Sequence, residues 1–269
     1  DGVSKAIWLQ NAGFVWVPFI VLSSLAAWFG MNDIASAKAS FSEQSVIFQR
    51  KHNWLMCWLY LGTFGSFIGF AAGFPLLIKG QFPEVDPAKF AFLGPFVGAL
   101  ARPVGGWIAD KLGGARVTFW VFLLMVISVF AVISFMPTKG AEGALVGGNF
   151  MGFFVAFLCL FALTGVGNAS TFRMIPVIFL TQHERMAQGN KQISREQVLQ
   201  QANKEAAAVL GFSGAIGAYG GFFVPKSYGT AIALTGSPLA ALYTFIVFYV
   251  LCLGMTWWFY SRKAAEMPC

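Results

Sequence analysis

The sequence predicts an all-α membrane protein with about seven transmembrane helices. Of the 269 residues, 57% are hydrophobic and 11% are charged, and the mean hydropathy is +0.68. A soluble fold of this length could not bury so much apolar surface. A spanning helix needs about 20 mostly apolar residues, and roughly seven such runs follow one another along the chain. They lie near residues 12–31, 54–78, 90–109, 117–136, 150–180, 206–234 and 238–260.

The fifth and sixth of these runs are unusually long and rich in glycine. This composition predicts broken, tilted or locally distorted helices rather than additional spans.

Lysine and arginine are distributed unequally between the two sides of the predicted helices. Eleven fall on one side and five on the other. Because cytoplasmic loops carry an excess of basic residues, we expect the first side, including the C-terminus, to be cytoplasmic. The net charge of +7 then reflects topology and indicates no nucleic-acid partner. The larger set is Lys38, Arg50, Lys51, Lys111, Arg116, Arg185, Lys191, Arg195, Lys204, Arg262 and Lys263, and the smaller is Lys5, Lys79, Lys89, Lys139 and Lys226.

One long polar segment divides the predicted helices into one before it and six after it. Many secondary transporters consist of two six-helix halves joined by a longer cytoplasmic loop. We therefore expect residues 1–31 to form the last transmembrane helix of an N-terminal half, 32–53 a cytoplasmic connector, and 54–269 a six-helix C-terminal half. On this interpretation the chain is a piece of a longer protein, and its partners are the missing N-terminal half and membrane lipid.

The reactive side chains indicate neither an enzyme nor a metal protein. No C-x-x-C spacing occurs, the two histidines lie in predicted loops, and no acidic residue is central in a predicted helix. A membrane enzyme would need a metal cluster, a Ser/Lys dyad or paired carboxylates. The last predicted helix also lacks a lysine for a retinal Schiff base. We expect no catalytic residue, no metal and no cofactor.

The turn between the third and fourth predicted helices contains the sequence GGWIADKLGGAR, residues 105–116. It resembles the G-x-x-x-D-[RK]-x-G-x-x-[RK] loop of the major facilitator superfamily. Glycine permits a tight turn, and an aspartate at a helix end can pair with a neighbouring helix terminus or with basic residues. We predict a conformational latch that opens when the two halves rock. Its residues are Gly106, Asp110, Lys111 and Arg116.

A glycine-rich segment of the sixth predicted helix carries a sharper resemblance. Residues 211–226, GFSGAIGAYGGFFVPK, are similar to the second signature of the nitrate/nitrite porter family within that superfamily. The similarity extends to residues 30–34, 63–70 and 234–238. The resemblance implies a major facilitator fold in a bacterial inner membrane and transport of nitrate and nitrite.

Arg102 lies well inside the third predicted helix, about 12 Å along the helix from Asp110. An arginine at such depth costs about 2.5–3.5 kcal/mol on insertion scales and is retained mainly where it faces a cavity or a partner. Its planar, permanently charged guanidinium matches two oxygens of a planar anion. Arg102 is the first candidate anion ligand, and the resemblance places the substrate-binding arginine of the second half here. The alternative is pairing with backbone carbonyls or a lipid phosphate.

Tyr60, Phe64 and Phe67 form one helical stripe, for which simple packing is the ordinary explanation. The resemblance implies that Tyr60 hydrogen-bonds the anion and that Phe64 walls the site, whereas we assign Phe67 to packing. Asn168 is a candidate hydrogen-bonding residue of the pathway. Arg173 either adds to the positive field or pairs with a helix end near the cytoplasmic mouth.

The glycines of the sixth predicted helix have two compatible interpretations. Small residues at this spacing allow close helix packing, and they also expose backbone N–H groups to a small anion. The resemblance implies that Gly211, Ser213 and Gly214 line the anion site.

Because no acidic residue is central in a predicted helix and both histidines lie in predicted loops, we expect nitrate/nitrite exchange rather than proton symport. A proton-coupled symporter that uses the missing half and an anion channel are the alternatives.

Overall fold

A computed structural model describes residues 9–32, 40–140, 145–188 and 194–269. The chain divides into two compact units, residues 1–40 and 41–269. The first unit contains helices α1 (Leu9–Phe14) and α2 (Trp16–Gly30). Lys5, Lys38 and Lys191 of the predicted charge asymmetry, and residues 33–39 of the predicted connector, lie outside the described residues.

The second unit is helical along most of its described length. In chain order its elements are α3 (Phe41–Gln44), a 3₁₀ helix (Ser45–Gln49), α4 (Lys51–Tyr60), a π-helical turn (Leu61–Gly65), α5 (Ser66–Gln81), a 3₁₀ helix (Pro87–Lys89), α6 (Leu93–Leu112), α7 (Gly114–Phe135), strands β1 (Thr138–Lys139) and β2 (Leu145–Val146), α8 (Phe150–Ala187), α9 (Arg195–Ala218), α10 (Gly220–Thr235), α11 (Leu239–Thr256) and a second π-helical turn (Trp257–Ser261). The two strands pair antiparallel.

Five helical segments of the described chain are long and apolar enough to cross a membrane. They confirm the all-α membrane fold, whereas the number seven stays a prediction. Helix α6 has 20 residues but carries three charged side chains, which lower its hydropathy, and α2 has only 15. The five segments are Lys51–Gln81, Gly114–Phe135, Phe150–Ala187, Arg195–Thr235 and Leu239–Ser261.

The two glycine-rich helices differ in continuity. Helix α8 runs for 38 residues without a break, although its glycine content suggests that it could be broken. The hydroxyls of Thr164, Ser170 and Thr171 donate to backbone carbonyls one turn earlier, at 2.7, 3.1 and 2.8 Å, so these polar side chains are satisfied without interrupting the helix. The sixth predicted helix is interrupted at Tyr219, between α9 and α10.

Phenylalanine rings of α5 and α8 form the centre of the core. Phe74 stacks on Phe157 with ring centroids 4.6 Å apart, and Phe70 meets Phe157 edge to face at 5.5 Å. All three side chains are fully buried. Offset and edge-to-face rings add to the free energy of burial, so this cluster fixes α5 against α8 beside the segments that carry Phe64 and Asn168.

Ion pairs tie together the helix ends on the predicted cytoplasmic side. Arg50 Nε, just before α4, lies 2.6 Å from Glu205 Oε1 of α9, and His183 of α8 contacts the other carboxylate oxygen at 2.7 Å. Lys51 pairs with Glu266 beyond α11 at 2.6 Å. The hydrogen bond from Lys51 lowers the pKa of the Glu266 carboxyl, so this carboxylate stays charged near neutral pH.

Candidate anion-binding cavity

A cavity of about 550 Å³ lies between α4, α6 and α8. Four of the predicted anion ligands line it, together with two of the predicted latch residues. Because these residues come from three helices, the cavity depends on tertiary packing rather than on one local motif. The lining residues are Tyr60, Phe64, Arg102, Gly106, Asp110, Asn168, Ala169, Phe172 and Arg173.

Asn168 connects Tyr60 to Arg102. We assign its amide so that Nδ2 donates to the Tyr60 hydroxyl at 2.9 Å. The carboxamide oxygen then accepts from Arg102 Nε at 3.0 Å and Nη2 at 3.1 Å, which satisfies donors and acceptors on both sides. Asn168 is 6% exposed and Tyr60 7%. This buried chain of hydrogen bonds therefore orients the guanidinium from α6 and the phenol from α4 toward one cavity.

The bond to Asn168 leaves part of the Arg102 guanidinium free. An arginine side chain has five N–H donors, and the Asn168 oxygen engages one on Nε and one on Nη2. Of the three remaining donors, one on Nη1 and one on Nη2 point the same way and form the end-on fork of the group. Two parallel N–H groups of this kind match two oxygens of a planar oxyanion. In the described residues no carboxylate pairs with Arg102, so its charge is not neutralised there.

Aromatic rings flank the same guanidinium. The Arg102 Cζ atom lies 5.6 Å from the ring centroid of Phe64 and 4.3 Å from that of Phe67. Phe64 lines the cavity and stands 5.1 Å from the Tyr60 ring. Both distances to Arg102 are within the range of attractive cation–π contacts. Arg102 itself is half-buried, so the two rings cover only part of the guanidinium.

The π-helical turn Leu61–Gly65 positions the aromatic pair. It begins directly after Tyr60 and contains Phe64, and such turns recur at functional sites. Thr63 within it packs on α8, where its hydroxyl lies 3.1 Å from that of Thr171. From the other side, a Cβ added to Gly217 would approach Phe64 Cδ1 to 2.9 Å. Glycine at position 217 of α9 therefore allows the rings of Tyr60 and Phe64 to keep their present positions.

The predicted latch residues lie toward the end of α6 and beyond it. Asp110 accepts a hydrogen bond from Arg173 Nε at 2.6 Å, so Arg173 pairs with a residue at a helix end, one of the two alternatives considered. The ammonium nitrogen Nζ of Lys111 lies 3.8 Å from the centroid of the Trp107 ring. Gly113 has φ +90°, which favours glycine at the turn into α7. Arg116 is exposed.

Replacing Asp110 by asparagine should change stability very little. The Arg173 and Asp110 side chains are 43% and 64% exposed, and pairs of this kind contribute about 0–1 kcal/mol. We expect the thermal unfolding midpoint of the full-length protein to stay within experimental error, with altered transport rate if the pair is a latch. A large fall in the midpoint would instead make the pair a structural support.

Three predicted ligands lie away from this cavity. Gly211, Ser213 and Gly214 of α9 are not among its lining residues. The Ser213 side chain is buried, and its hydroxyl donates to the Leu210 carbonyl at 3.2 Å. A Cβ at Gly211 or Gly214 would meet nothing within 4 Å, so both glycines face open space. Their role in anion binding stays a prediction.

Two residues near the site were not predicted to act there. Phe67 was assigned to packing, yet it contacts Arg102, and its position one turn beyond Phe64 on the same stripe is the signal that could have indicated this. Gly217 belongs to the recognised glycine-rich segment, but its contact with Phe64 and Tyr60 depends on how α9 meets α4.

The apolar helices and the arginine in an open cavity between α4, α6 and α8 define a multi-pass membrane protein that presents a positive charge between its helices. No family model matches the chain. It is similar to the nitrate/nitrite transporters NarU of Salmonella typhimurium and of Escherichia coli, each 48% identical over 95% of this chain and 54% of the relative. It is also similar to the probable nitrate/nitrite antiporter NarK2 of Thermus thermophilus, 40% identical over 100% of this chain and 55% of the relative.

The chain belongs to the nitrate/nitrite porter family of the major facilitator superfamily. This confirms the family and the major facilitator fold expected from the sequence. The chain spans about half the length of the curated relatives it matches.

Proposed function

We propose that the full-length protein moves nitrate and nitrite across the bacterial inner membrane by alternating access, with Arg102 as an anion ligand. The observation that carries the proposal is the geometry of Arg102, whose fork is oriented by Asn168 toward a cavity and pairs with no described carboxylate. We choose nitrate and nitrite as the anions because the similar proteins are named nitrate/nitrite transporters or antiporters. We assign the chain a transport role rather than a catalytic one.

The cavity suits a small planar anion. The free donors of Arg102 provide two-point recognition, and the buried Tyr60 hydroxyl lies in the same hydrogen-bonded chain. Phe64 supplies an apolar wall that favours loss of water from the ion. A single point charge, such as a lysine ammonium, would attract the anion without fixing its plane.

The charges of the cavity favour exchange over proton symport. Asp110 is the one acid among the described lining residues, and it is held by Arg173 at the far end from Arg102. No carboxyl therefore stands beside Arg102 to carry a proton in this part of the protein. If the missing half presents an equivalent arginine, closure of the empty site would bring like charges together. A bound anion would offset that repulsion, so the carrier would return loaded.

The test is nitrate uptake into proteoliposomes that contain the full-length protein. One set holds nitrite inside, a second holds buffer alone, and a third holds buffer with an imposed pH gradient. We expect rapid uptake only with internal nitrite. Uptake driven by the pH gradient without a counter-anion would identify a proton symporter and refute exchange. Bilayer currents far above carrier turnover would identify a channel.

A further inference from the structure

We propose that Phe67 is a positioning residue for anion binding, which holds the Arg102 guanidinium by one face so that its free donors point into the cavity. This inference rests on the proposed function of Arg102. Phe67 is not a cavity-lining residue, and it therefore acts through Arg102 rather than by touching the anion.

The contact between Phe67 and Arg102 is close. The guanidinium carbon lies 4.3 Å from the Phe67 ring centroid, compared with 5.6 Å for Phe64. Cations are attracted to aromatic rings within about 6 Å of the centroid, and the attraction grows where water is excluded. Phe67 is thus the nearer ring, although Phe64 is the one exposed to the cavity.

The Phe67 ring is itself fixed by its neighbours. A Cβ on Gly98 would come within 2.7 Å of Phe67 Cε2, so the ring lies against the backbone of α6. Gly98 precedes Arg102 by four residues, which places the two on the same helix face. Phe161 of α8 meets the ring edge to face, with centroids 6.3 Å apart and planes at 87°.

Phe67 and Asn168 restrict the guanidinium in different ways. The amide oxygen of Asn168 holds the edge formed by Nε and Nη2, whereas the Phe67 ring packs beside Cζ, 4.3 Å from the ring centroid. Guanidinium faces are weakly hydrated and stack on aromatic rings. With its Nε/Nη2 edge bonded to Asn168 and its Cζ atom packed on the Phe67 ring, the guanidinium holds its end-on donors in place before the anion arrives. Preset groups lose less conformational freedom on binding, which raises affinity.

The test compares Phe67→Leu with Phe70→Leu and Phe67→Tyr in the full-length transporter. Leucine keeps apolar volume but removes the ring face. Phe70 lies on the same helix and is fully buried against Phe157 and Phe161, so Phe70→Leu reports the effect of losing a core ring. Phe67→Tyr keeps the ring. Nitrate KM and maximal rate are measured by uptake into proteoliposomes, alongside thermal unfolding.

We expect Phe67→Leu to raise the nitrate KM about 3- to 30-fold, which corresponds to a cation–π contact of ordinary strength, with the maximal rate retained within about twofold. Phe70→Leu should lower the unfolding midpoint and leave KM unchanged, and Phe67→Tyr should restore KM. Equal KM values in the two leucine variants, or no recovery with tyrosine, would refute the positioning role. Absence of nitrate uptake by the wild-type protein would instead refute the proposed function.

Discussion

Replacing Arg102 by lysine should reduce nitrate transport about a hundredfold or more. Lysine keeps the charge but loses the fork and the edge bonded to Asn168. Hydrogen bonds to charged groups contribute about 1.5–3 kcal/mol each, and the loss of two of them lowers affinity by at least two orders of magnitude. The measurement is the ratio of maximal rate to KM for nitrate in proteoliposomes.

Arg173→Lys is the matched control for this substitution. Arg173 lines the same cavity and contacts Asp110 through Nε, and lysine retains a point charge for that exposed pair. We expect transport within about threefold of wild type, since exposed ion pairs contribute little. Equal losses in the two variants would show that transport needs a guanidinium at both positions and that the geometry of Arg102 has no special role, whereas an unchanged rate in both would show that positive charge alone is sufficient.

The family resemblance and the depth of Arg102 were sufficient to predict much of the cavity. A charge far inside an apolar helix requires a partner or a cavity, and the structure shows both, in Asn168 and in the open space beyond it. Tyr60 and Phe64 followed from the resemblance and not from their spacing. The spacing alone is equally consistent with packing, because an aromatic stripe appears in both cases.

Features that depend on contacts between distant segments could not be predicted. The π-helical turn at Leu61–Gly65 lies where Thr63 meets α8 and Gly65 meets α10, and neither contact leaves a local pattern in the sequence. Phe67 follows the same stripe as Phe64, but only the packing of α6 shows that it contacts Arg102. Gly211 and Gly214 of α9 could serve either close helix packing or anion binding, and because both face open space in this chain, their contacts favour neither role.

Replacing Gly220 by alanine should cause the largest loss of stability among single-methyl additions to α10. The added Cβ would overlap the backbone carbonyl of Gly65, and backbone atoms cannot turn away as a side-chain end can. Overpacking of this kind costs about 1–3 kcal/mol or more. We expect a lower unfolding midpoint for the full-length protein in detergent. We also expect a higher nitrate KM, because Gly65 directly follows Phe64.

Gly229→Ala separates this contact from the general effect of alanine in α10. Gly229 lies in the same helix, and a Cβ there would meet nothing within 4 Å. Alanine in a helix interior is favoured over glycine by about 0.5–1 kcal/mol, so the midpoint should stay the same or rise slightly, with KM unchanged. A fall of equal size in both variants would mean that α10 and the π-helical turn do not pack through Gly220 and Gly65. A fall in Gly220→Ala alone, accompanied by the rise in KM, would show that this packing also places Phe64 beside Arg102.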